Sequence, residues 1–81
     1  MRRNNPRFSR QDTLESVGVY VEIARGWAGE GKIEWATAYY AVARARIEMF
    51  MERHPDNERY MKKRLNSIVE EQAKMHDRGD R

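Results

Sequence analysis

Between Gly31 and Pro55 the chain carries no helix breaker, and apolar residues recur at alternating spacings of three and four: Ile33, Ala36, Tyr40, Ala43, Ile47 and Phe50. That rhythm is one face of an α-helix. A second set, Trp35, Tyr39, Val42 and Met49, forms a neighbouring stripe on the same segment. A helix apolar on two sides packs against two neighbours, or against one neighbour and a partner. Residues 32–53 are therefore expected to form the central helix.

The rest of the chain is short. The 81 residues make one domain at most. A chain of this size buries only about 60–65% of the surface its unfolded form exposes, and such a core rarely supplies more than about 3–5 kcal/mol unaided. There is no cysteine, so neither disulfides nor thiolate metal sites contribute. Regular helix packing and association with a partner are the remaining routes.

On either side of the central segment the same 3.6-residue period returns. Leu14, Val17, Val21, Ala24 and Ala28 predict a first helix over 12–28, widened on one side by Tyr20, Ile23 and Trp27. Its cap is Ser9, with Phe8 as a staple, or Asp12 with Glu15 in a variant capping box. Gly18 and Gly26 lie inside this helix, where glycine is unfavourable, and are expected to admit a neighbouring helix closely. Gly29-Glu30-Gly31 ends it, and so short a turn returns the next helix antiparallel. His54-Pro55-Asp56-Asn57 breaks the chain again, with Asp56 or Asn57 available as a cap. A third, more polar helix over 57–77 carries Met61, Leu65, Ile68, Val69 and Met75. No segment alternates with period two over strand length. The expectation is an all-α fold: an antiparallel helical hairpin with a third helix, a small three-helix bundle over residues 10–78. A disordered basic arm precedes it over residues 1–9, and a frayed tail follows over 79–81.

The first two helices carry a further spacing. Tyr20-x2-Ile23-Ala24-x2-Trp27 is followed by Ala36-x3-Tyr40-x2-Ala43, with Gly31 in the turn between them. Over residues 20–43 this resembles the tetratricopeptide-type helical hairpin, in which small residues let two helices approach and large ones fill the sides. The sequence holds one such unit rather than an array, and Pro55 arrives about two turns later than the family places it. The resemblance implies protein–protein recognition by a helical scaffold.

Catalytic chemistry has little support. His54 lies in a loop beside Pro55, His76 lies near the C-terminal end, and neither has a nucleophile or metal-spaced partner. Gly29-Glu30-Gly31-Lys32 lacks the length and hydroxyl residue of a phosphate loop. The reading is a non-enzymatic protein with no cofactor and no metal.

Binding is carried by two candidate surfaces. The first is the second stripe of the central helix, Trp35, Tyr39, Val42, Arg46 and Met49, since Tyr and Trp are favoured interface anchors. It would bind another protein, or a second copy in a homodimer. The alternative is a nucleic-acid-binding regulator using Arg2, Arg3, Arg7 and Arg10 to neutralise phosphates, Phe8 to stack on a base, and Arg44 and Arg53 in support. Against it, those four arm arginines supply +4 of a net charge of +3, so residues 11–81 sum to −1. The Lys62-Lys63-Arg64 cluster reads as a solvated helix surface. A third possibility is a compact inhibitor encoded by a phage or mobile element. The basic start of the chain lacks the apolar run of a signal peptide, no stretch is apolar enough to span a bilayer, and cysteine is absent. The expected location is the cytoplasm.

Overall fold

The computed structural model describes residues 10–79, with side chains described as far as Asp77. The protein is all-α. Helix α1 spans Arg10–Gly29, α2 spans Ile33–Arg53, a single 3-10 turn spans Pro55–Asn57, and α3 spans Glu58–Gly79. The basic arm over 1–9 and residues 80 and 81 of the expected tail lie outside the described residues.

Helix α1 stops where its glycines allow. Gly31 adopts φ 79°, a left-handed conformation that residues with a Cβ rarely hold. The Lys32 N–H then donates to the Trp27 carbonyl at 2.9 Å, and the Gly31 N–H to the Ala28 carbonyl at 3.0 Å. This is a Schellman closure, which satisfies carbonyls the helix end leaves open. Helix α2 ends differently. The His54 N–H still reaches the Phe50 carbonyl at 2.9 Å, but Pro55 then removes the next donor. The 3-10 turn runs straight into α3.

One core joins the three helices. Val17, Val21 and Ala24 of α1 meet Ala36, Tyr40, Ala43, Ile47 and Phe50 of α2, all buried. The small pair Ala24 and Ala36 sits fully inside, as a close hairpin crossing requires. Helix α3 contributes a thinner line: Met61, Ile68 and Met75, one residue every seven, are buried. Arg10 pairs with Asn57 and Tyr60 at one end, and Arg25 with Glu71 further along, so α1 and α3 run parallel and α2 antiparallel to both.

Three local expectations need correction. Asp12 lies within the first turn of α1, not before it, because the helix starts at Arg10; the alternative cap, Ser9, lies outside the described residues. Helix α3 extends to Gly79, one residue past the expected end of the helical domain. Gly18 and Gly26 admit no neighbour: a Cβ built on either would meet nothing within 4 Å. These two glycines therefore weaken α1 without serving its packing. Each Gly→Ala change should stabilise the fold by about 0.5–1 kcal/mol. The double variant should melt roughly 5–10 °C above the parent. A thermal midpoint at or below the parent's would show that α1 needs its flexibility.

Candidate protein-binding face

Successive helical residues are turned by roughly 100°, so Arg25 and Trp27 lie on opposite flanks of the buried Ala24. On α2, Tyr40 and Arg44 likewise share one flank, and Trp35, Tyr39 and Arg46 the other. Which flank is covered depends on where α3 lies.

Glu71 of α3 decides this. Its carboxylate accepts two hydrogen bonds from Arg25, Nε to Oε2 at 2.7 Å and Nη2 to Oε1 at 2.9 Å. The Tyr40 hydroxyl donates to the same Oε2 at 2.6 Å. One acid thus ties α1, α2 and α3 together, and places α3 on the Arg25–Tyr40 flank. A charge-assisted fork of this kind fixes geometry as well as energy. The Arg25 guanidinium, then the Tyr40 hydroxyl, holds the Glu71 carboxyl below the ordinary glutamate range against the opposing effect of its burial, while Glu71 raises Arg25. Sequence inspection missed this cluster. Its only trace is a tyrosine at a core position, whose buried hydroxyl requires a partner.

The opposite flank of the hairpin is left open. Trp27 stacks on Trp35 with ring centres 5.5 Å apart, and Tyr20 on Tyr39 at 6.3 Å. The Arg46 guanidinium lies 5.2 Å from the Tyr20 ring centre. These contacts zip the edges of α1 and α2 together, yet the outer surfaces stay in water: Trp35 and Met49 are each 57% exposed and Val42 38%. Tyr39 is half-buried and Arg46 exposed. All five residues of the anticipated binding stripe therefore share one side of α2, away from α3. Helix α1 adds Val19, 57% exposed, and Ile23, 37% exposed, to the outer surface of the hairpin. Neither was among the expected site residues. The signal for Ile23 was present in the Tyr20–Ile23–Trp27 spacing, but which flank of α1 stays uncovered depends on α3. Trp27 belongs to the hairpin crossing, half-buried at its rim.

The basic set is dispersed. Arg2, Arg3, Arg7 and Phe8 lie outside the described residues. Arg10 donates to Asn57 Oδ1 at 3.2 Å and covers the Tyr60 ring at 4.5 Å, joining the starts of α1 and α3. Arg44 is half-buried on the α3 side of α2, whereas Arg53 is exposed on the open side. The described arginines of this set do not converge on one surface. His54 packs on Phe50 with ring centres 4.4 Å apart. Among the described residues, no group of acidic, histidine or cysteine side chains is placed to hold a metal ion, and no helix is long and apolar enough to cross a membrane.

No protein-family model matches this chain, and neither a curated protein nor a solved structure matches it.

Proposed function

We propose that this chain is a small non-enzymatic interaction module of the cytoplasm, which binds protein through the open face of α2. The observation that carries the reading is the joint exposure of Trp35, Val42 and Met49 on one line of a helix whose core side is already packed against α1 and α3. Isolated exposed apolar residues are ordinary, but a contiguous line built on stacked aromatics marks an interface. Trp35 and Tyr39 are pre-positioned by their ring partners on α1, so little side-chain freedom is lost on binding. The tetratricopeptide-like spacing supports the same reading, as a helical scaffold that presents a recognition surface. An inhibitor from a mobile element would use this face in the same way.

Capture of a binding protein by immobilised parent and variant chains tests the reading. A Val42→Glu/Met49→Glu variant should keep its helical circular dichroism, because both residues are exposed, and should lose the captured protein, whether that is a second copy or another chain. An Arg59→Glu variant, altered on exposed α3 surface, should retain it. Equal capture by all three removes the α2 face from consideration.

A further inference from the structure

We infer that the open face of α2 is occupied by α2 of a second copy of this chain, packed antiparallel about a twofold axis at Val42. The inference rests on the interaction-module reading and adds the identity of the occupant and its register.

A twofold interface sets the same patch against itself, so it demands self-complementarity. The outer line of α2 has that property when reflected through Val42. Three residues to either side stand Tyr39 and Ala45; four to either side, Ala38 and Arg46; seven, Trp35 and Met49; ten, Lys32 and Glu52. An antiparallel pair of helices therefore lays each Tyr39 ring over a partner's alanine. The apolar stem of Arg46 crosses another alanine. Trp35 meets a methionine, whose thioether makes favourable contact with aromatic rings. At the ends a lysine meets a glutamate. Large faces small at Tyr39 and Arg46, an aromatic ring faces a thioether at Trp35, and plus faces minus at Lys32. Ala38 and Ala45 are exposed, as are Lys32, Arg46 and Glu52, so none of these residues is committed within the protomer's own core. The alanines would let the two helices approach to the roughly 8–10 Å of ordinary helix packing.

The geometry of the protomer agrees. Around α2, helix α1 takes one side and α3 the flank of Tyr40; the line through Val42 faces neither. A second α2 there would give the central helix a third neighbour and cover Trp35 and Met49, its most exposed large apolar residues. No acidic residue lies on the stripe between Trp35 and Met49, and its only cation, Arg46, falls over alanine and away from its own copy. The dimer thus brings no like charges together along its centre.

The experiment uses the full chain, which has no cysteine of its own. Sedimentation or light scattering from micromolar to millimolar concentration should report a dimer, and Val42→Glu a folded monomer. Val42→Cys, on the axis, should cross-link rapidly under mild oxidation or with a short bifunctional maleimide, while Met49→Cys should not. Lys32→Glu should weaken the dimer about tenfold or less, as a rim charge does, and adding Glu52→Lys should restore it. Lys32 and Glu52 lie nearly the full length of one helix apart, so that rescue can arise only between chains. A parent that stays monomeric throughout would falsify the second copy as occupant. The module reading would still stand if capture of another protein depended on Val42 and Met49. A dimer that cross-links through Met49→Cys rather than Val42→Cys, or that ignores the charge swap, overturns the register.

Discussion

Ile47→Ala should strip this protein of most of its folding stability at 25 °C. Ile47 is fully buried on the core line of α2. Truncating such a side chain loses its transfer free energy and leaves a cavity, typically about 2–5 kcal/mol. A core of this length commands about 3–5 kcal/mol in total, so one such deletion consumes most of it. Val19→Ala, on an exposed position, should stay within about 0.5 kcal/mol of the parent. Urea titration followed by circular dichroism reads both. The comparison is best made in the Val42→Glu background and at low protein concentration, because association would add a concentration-dependent contribution to stability. A full-sized cooperative transition of Ile47→Ala at the parent's midpoint would mean that the three helices are not held by this core.

Glu71→Ala should cost about 1–3 kcal/mol, because it removes the carboxylate that accepts from the largely buried Tyr40. Most of the loss should come from that hydroxyl. The Arg25 side chain is about half exposed, and ion pairs with so much water around one partner contribute little. Tyr40→Phe should therefore recover much of the effect in a double-mutant cycle, and Arg25→Ala little of it. Acid separates the same contributions. Folding holds the Glu71 carboxyl below its ordinary value, so its stabilisation is complete above the usual glutamate pKa of about 4.3. It is lost as pH falls through the lowered folded-state value. The parent should lose stability more steeply than Glu71→Gln over that acidic window, and the two should run parallel above it. Equal slopes throughout would show that the carboxylate does not bind these partners in solution.

The effects expected at Ile47 and Glu71 differ in how far they were visible beforehand. Ile47 sits on an unbroken three-and-four rhythm, and a helix of 3.6 residues per turn converts that rhythm directly into a face. The same rule makes Val17, Val21 and Ala24 legible as core, and Gly31 and Pro55 legible as breaks, since backbone conformation at those residue types is set locally. Glu71 had no such signature. An acid on a polar helix reads as solvated until a guanidinium and a hydroxyl from two other helices are brought to it.

Helix type, helix order and the hairpin were thus fixed by local chemistry: period, glycine, proline, and the small size of Ala24 and Ala36. The side on which α3 lies was not. A hairpin with apolar residues on both flanks offers two berths to a third helix, and sequence periodicity treats them alike. Tertiary contact breaks the tie: Met61, Ile68 and Met75 supply the apolar line, and Glu71 engages Arg25 and Tyr40, which face only one way. That choice leaves Trp35, Val42 and Met49 in water, and also decides that the Arg44 flank is covered while Arg53 is not. Apolar stripes follow from the order of residues along one helix, whereas an exposed stripe is defined by what fails to pack on it, which is a property of three helices at once.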